Sequence, residues 1–263
     1  MTGPVTLGSY TEQMAWGRWR QPQVSHPPRA LIAARARIAL AVVVAACVAV
    51  VAALGVHYAG HTAAGPLDAA VDGWIKARVG VTSVPLTVLT WFGDKVEVTV
   101  ITLAAAAGCA LARWWRGAVL ALLATPVSAL LTEDVFKPLI GRTIGGAQFA
   151  PDGRLVSVAA LSMPSGHTTA TFTLATLAAV LLYRRGDRVR YLLIAAAYVL
   201  ASAVAVAMIA QNFHYFTDVI SGAAMGIGTV LTGALVIDAI APPLWARVSR
   251  RAGLHPQTSP GPN

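Results

Sequence analysis

The sequence predicts an all-α polytopic membrane protein, a six-transmembrane-helix bundle with one further amphipathic helix on the extracytoplasmic surface. Three observations predict it. Of 263 residues, 56% are hydrophobic and 12% charged, with a mean hydropathy of +0.64, far from the balance of soluble domains. Apolar stretches recur at close to the length that about 30 Å of hydrocarbon requires. Arginines gather on alternate connections between those stretches, as an alternating topology demands.

Residues 1–36 are largely polar, with scattered Pro and aromatic residues and no sustained apolar period. They are expected to form a disordered or interface-lying cytoplasmic tail. The membrane domain is assigned to 37–245 and a second cytoplasmic tail to 246–263, whose last dozen residues hold three Pro and two Gly. The first span, 38–56, begins too late and runs too long for a cleaved signal core, so it reads as an uncleaved anchor. In Pro66–Val79, the residues Leu67, Ala70, Val71, Trp74, Ile75 and Arg78 fall at helical spacing. An amphipathic helix with Trp74 at headgroup level follows. Residues 84–92 are apolar but short, which suits a re-entrant or interfacial segment. Five further spans are read at 98–112, 117–132, 168–183, 191–213 and 219–237, and residues 141–164 as a Gly-rich outer loop.

The net charge of +9 is set by position along the chain. Arg18, Arg20, Arg29, Arg35 and Arg37 precede the first span. Arg113 and Arg116 join spans two and three, Arg184, Arg185, Arg188 and Arg190 join four and five, and Arg247, Arg250 and Arg251 follow the sixth. Thus 14 of the 20 basic residues fall on one side. Both termini are therefore expected in the cytoplasm of a bacterial-type plasma membrane, and Lys76, Arg78, Lys95, Lys137, Arg142 and Arg154 outside. Arginines beside membrane helices argue against a nucleic-acid binder, and span interiors almost free of ionisable groups argue against ion transport. Cys47 and Cys109 lie within spans and are expected to be structural thiols.

On this topology the outer face collects His167, His214 and Asp218. The interval from His167 to His214 holds two apolar helices and a basic cytoplasmic turn, so both imidazoles return to one surface. His214 and Asp218 stand at i and i+4, where side chains share a helix face. A carboxylate on one imidazole nitrogen fixes the tautomer and frees the other as a nucleophile; by itself the pair could equally be a cap on the sixth span. Pro164-Ser165-Gly166-His167 precedes a span, where free backbone N–H groups suit phosphate oxygens. Ser165 suits an N-cap, Gly166 admits close backbone approach, and His167 can protonate a leaving oxygen. Lys137 and Arg142, five residues apart, could hold a tetrahedral anion from two sides, although each alone reads as a snorkelling or loop cation.

These residues resemble the type 2 phosphatidic acid phosphatases, a family related to the vanadium haloperoxidases, over roughly residues 66–240. Pro-Ser-Gly-His is matched in full at 164–167, and His-x3-Asp at His214 and Asp218. The resemblance implies a phosphatase that needs no metal or other cofactor. It makes His214 the nucleophile, Asp218 its orienter and His167 the acid, with Lys137, Arg142, Ser165 and Gly166 holding the phosphoryl oxygens. Two arginines of the family pattern are replaced. Ile144 and Gly145 stand where Arg-Pro closes the first motif, and Ala207 and Met208 where Ser-Arg opens the third. Loss of one donor at such a site costs about 2.7–4 kcal/mol of transition-state stabilisation; Arg154, Gln211 and Asn212 are the candidate replacements.

The expected substrate is a phosphate monoester or diphosphate of a lipid, polyprenyl or phosphatidate-like, entering laterally from the bilayer. Two alternatives stay open: transfer of a lipid head-group phosphate to an alcohol, and a catalytically inactive lipid-phosphate binder. Gly222, Ala223, Gly226 and Gly228 allow the sixth span to pack closely, within the bundle or against another chain, so oligomeric state is not fixed.

Overall fold

The computed structural model describes residues 30–80, 84–149, 155–183 and 187–251. Two compact units divide the chain, one of Pro28–Ala241 and one of Met1–Pro27 with Pro242–Asn263; the architecture below is that of the first. Most of the two expected tails, and Arg154, lie outside the described residues.

The described chain is helical except for one hairpin. In order come a 3-10 turn at Ala34–Ala36, α1 (Arg37–His57), α2 (Pro66–Val79), α3 (Val84–Trp91), α4 (Lys95–Leu111) and α5 (Trp115–Ala129). A π-helical stretch, Leu130–Phe136, carries α5 into the short α6 (Lys137–Ile140). Strands β1 (Thr143–Phe149) and β2 (Leu155–Leu161) follow, then α7 (Gly166–Leu182), α8 (Arg188–Ala210) and α9 (Phe216–Arg251).

Four helical stretches among the described residues are long and apolar enough to cross a membrane: Ala34–His57, Trp115–Ile140, Arg188–Ala210 and Phe216–Pro243. α7 is apolar but shorter, and α4 also has 17 residues. Ile38, Val56, Leu111, Leu192 and Val199 turn apolar side chains outward, which water would penalise and acyl chains accept.

The segment read as an outer loop contains the antiparallel pairing of β1 with β2, from Thr143 opposite Leu161 to Phe149 opposite Leu155, with the register shifting around Gln148. Pairing satisfies backbone groups that an open loop would leave to solvent. Leu31 and Ile32, in the stretch read as tail, are buried in a cluster with Leu120, Leu177, Val230 and Leu231. Their N–H groups donate to the two oxygens of Asp238 at 2.9 and 2.8 Å, and Arg116 pairs with the same carboxylate at 3.0 Å.

α7 and α9 touch backbone to backbone. A Cβ at Gly222 would lie 2.6 Å from the Ser165 carbonyl oxygen, and one at Gly226 would strike Thr169. Gly222 and Gly226 of α9 are thus used inside the bundle. α7 also packs on α8 and α5, while α2 and α3 lie against α8. This brings the start of α7, the end of α8 and the start of α9 to one end of the bundle.

Candidate active site

α2 begins as its sequence dictates, with Pro66 at the first helical position, Gly65 extended before it, and Asp68 accepting from the Gly65 N–H at 3.3 Å. Its exposed face carries Leu67 and Trp74, and Arg78 lies over the Trp74 ring at 4.1 Å. Its inward face carries Ile75 and two buried carboxylates, Asp68 and Asp72. They stand one turn apart and cap the start of α9, Asp68 accepting from Thr217 N at 2.9 Å and Asp72 from Phe216 N at 3.1 Å. Unpaired N–H groups at a helix start are the natural partners of such acids. Lys76 adds a 2.8 Å bond to Asn212, whose positive φ of 61° makes the turn before His214.

Gly141, at φ 64°, ends α6 and turns the chain inward. Arg142 then becomes fully buried. Its Nη1 reaches Asp218 Oδ1 at 2.6 Å and Thr217 Oγ1 at 2.7 Å, and its Nη2 reaches Asp68 at 2.6 Å. The Tyr58 and Tyr215 rings cover the guanidinium at 4.1 and 4.5 Å. Two carboxylates and two rings occupy this cation, and it does not line the cavity described below. Arg142 thus lies behind Asp218, outside the lining of that cavity.

Asp218 Oδ2 accepts from Tyr215 N at 2.9 Å and lies 3.8 Å from His214 Nδ1. That nitrogen is buried and has no hydrogen-bond partner among the described residues, and the carboxylate stands beyond bonding reach. Ser165 is the N-cap residue of α7, with extended backbone angles, yet its side chain caps no N–H. Its hydroxyl accepts from Thr168 at 3.0 Å, and its N–H donates to the Asp218 carbonyl at 3.0 Å. Ser165 is fully buried, joining α7 to α9 beside the histidines.

A cavity of about 940 Å³ is lined by His167, His214, Gly166, Lys137, Glu133, Asp94 and Lys95, and continues between α4 and α5 past Val98, Thr102, Leu103, Leu122 and Pro126. Its far walls are mostly apolar, and Leu103 and Leu122 are exposed on the bundle surface. His167 Nε2 is 3.0 Å from Asp94 Oδ1, and a Cβ at Gly93 would overlap the His167 ring, so the turn before α4 fixes this imidazole. Lys137 Nζ bonds both oxygens of Glu133, at 2.9 and 2.8 Å.

Of the residues singled out in the sequence, His167, His214, Lys137 and Gly166 share this cavity, while Asp218, Ser165 and Arg142 form the buried layer behind it. Ile144 and Met208, where the family pattern has arginines, are both buried, and Met208 lines the cavity. Gln211 bonds back to Ala207 O at 3.4 Å and Asn212 is held by Lys76; neither lines the cavity. Asp68, Asp72, Asp94, Lys95 and Glu133 were not singled out. The i, i+4 spacing of Asp68 and Asp72 on one face of α2 was the available signal for the first two.

Burial raises Asp72 from 3.8 to about 6, with Asp68 and Asp218 adding to the rise while Lys76 and the Phe216 N–H oppose it. Among the described residues no three His, Cys, Asp or Glu side chains converge as a metal-binding group.

Comparison with known proteins gives two matches of different kinds. The profile of the PAP2 superfamily matches residues 118–240. Among solved structures, the fold resembles that described as the first transmembrane PAP2 type phosphatidylglycerolphosphate phosphatase from Bacillus subtilis. The TM-score is 0.53 at 21% identity, over 81% of this chain and 98% of that one. No curated protein matches the chain.

Proposed function

From a helical, membrane-type chain whose residues 118–240 match the PAP2 superfamily, we propose that the protein is a lipid-phosphate phosphatase. It hydrolyses a phosphate monoester or diphosphate of a lipid through a phosphohistidine. The observation that carries this is the meeting of His167 and His214 in one cavity that runs on between two apolar helices. Each imidazole has a carboxylate of its own, Asp94 at 3.0 Å and Asp218 at 3.8 Å.

In the proposed reaction the lone pair of His214 Nε2 attacks phosphorus while the bond from phosphorus to the lipid oxygen breaks. His167, as imidazolium, gives its proton to that oxygen. Water then attacks the phosphohistidine, His167 takes the proton of that water, and phosphate leaves His214. Asp218 stabilises the charge that grows on His214 as the new bond forms, and Arg142 with the Tyr215 N–H aims that carboxylate. Lys137 and the backbone at Gly166 receive the phosphoryl oxygens. Asp94 orients His167 through its Nε2. The lipid tail lies along the α4–α5 part of the cavity.

The proposal includes six spans, of which α4 and α7 are the short ones. It also includes cytoplasmic termini, an extracytoplasmic site and a membrane domain of 37–245. Arg35, Arg37, Arg113, Arg116, Arg188 and Arg190 support the sidedness, because they cluster at the opposite helix ends from His167 and His214. A second reading, an inactive lipid-phosphate binder, draws on buried Ile144 and Met208 in place of two arginines. Metal-free phosphate release from lipid phosphates in detergent, beside His214→Ala, separates the two: binding without release selects the inactive relative.

A further inference from the structure

Glu133 stands against Lys137 and Gly166, the groups that the proposed reaction assigns to the phosphoryl oxygens. It lies in the π-helical stretch before α6, lines the cavity with both histidines, and holds Lys137 through both its oxygens. A methyl group at Gly166 would overlap its Oε1, and the Lys137 Nζ lies 3.8 Å from that same point. The carboxylate therefore sits on the first turn of α7, against the backbone where phosphoryl oxygens would be received. The charged Lys, Asp and Glu residues around the cavity are Lys95, Lys137, Asp94 and Glu133, two of each sign. Met208 adds none.

We propose that Glu133 is a specificity-determining residue, setting the site to take a lipid monophosphate in preference to the diphosphate of the same lipid. This rests on the reading of the cavity as the phosphoryl site. A diphosphate carries one more negative charge than the monophosphate, and the extra charge must approach a carboxylate that already engages the nearest lysine. Unit charges about 4 Å apart interact by an amount between the limits for water and for a protein surface. A tenfold preference falls inside that range. The α4–α5 channel adds no counter-charge for a second phosphate, because below Lys95 its lining is Thr, Ser and apolar side chains.

The test is equilibrium binding of farnesyl monophosphate and farnesyl diphosphate, which share one tail, at pH 8 in detergent. It is made in the His214→Ala protein so that no turnover intervenes, with and without Glu133→Gln. With Glu133 present the monophosphate is expected to bind about tenfold tighter; Glu133→Gln is expected to bring the two affinities to within about twofold. Equal affinities with Glu133 present, a measurement that needs no Glu133 variant, would overturn the inference. So would a monophosphate preference that survives the substitution. Turnover by the unmutated protein reports separately on the phosphatase reading, because loss of the mechanism leaves the binding ratio measurable.

Discussion

Each histidine of the site is defined by what stands against it. His167 has Asp94 at 3.0 Å, on a side chain about half exposed. Removing that carboxylate leaves an imidazole still positioned by the Gly93 turn but without its hydrogen-bonded partner. Asp94→Asn is expected to lower kcat about tenfold, in line with one charge-assisted hydrogen bond, with little change in KM. Steady-state kinetics on a lipid phosphate reads the split. Arg142 raises the opposite issue, since among the described residues its guanidinium is the partner of the buried Asp218 Oδ1. Arg142→Ala leaves Asp68 and Asp218 buried with their shared cation gone, and unfolding in detergent is expected to show a loss of about 3–5 kcal/mol. An arginine that served only to bind phosphate would leave stability unchanged. The sequence could place a cation five residues after Lys137; it could not show that two acids 74 and 76 residues away would claim it.

Among the elements, α2 shows most clearly what a local pattern reveals and hides. Its bounds, Pro66–Val79, are legible because Pro66, Gly65 and Gly80 punctuate both ends. Its inward face is not. The apolar spacing drew attention to Leu67 and Trp74, which are exposed, while Asp68 and Asp72 turn in to cap α9. Helical periodicity gives a face; the partner decides whether carboxylates are welcome there. Asp72 carries a pH signature. Its native value of about 6 lies above 3.8, so the folded protein binds the proton more tightly than the unfolded chain. Its stabilising contribution is present below about pH 4 and lost as pH rises through about 6. Asp72→Asn keeps an oxygen for the Phe216 N–H and is expected to remove that decline from stability measured between pH 4 and 7. The contact of α7 with α9 depends on absent side chains. Gly222→Ala pushes a methyl against the Ser165 carbonyl and is expected to cost about 1–3 kcal/mol, with activity falling alongside. Gly73→Ala in α2 meets nothing within 4 Å and is expected to stabilise by about 0.5–1 kcal/mol. Thermal unfolding of the two variants separates packing from propensity. The hairpin of β1 and β2 escaped the sequence reading because Gly145, Gly146 and Gly153 read as loop punctuation, while 155–161 is apolar except for Ser157 and so carries no period-two alternation.

At the scale of the molecule, composition and arginine placement carried the helical membrane character. The order of motifs carried the family resemblance, which the match over residues 118–240 supports. What no local pattern could supply is how distant segments converge. The loop after α3 brings Asp94 to His167, α2 reaches the start of α9, and the π-helical stretch delivers Glu133 to Gly166. The two missing arginines leave buried Ile144 and Met208, so the proposed activity draws on Lys137, backbone donors and the two histidine–carboxylate pairs among the described residues. The most direct test of that account is phosphate release from lipid phosphates by detergent-purified protein, without added metal, compared with His214→Ala. Release by the unmutated protein that disappears in the variant is the predicted result; release that persists without the His214 imidazole would contradict it.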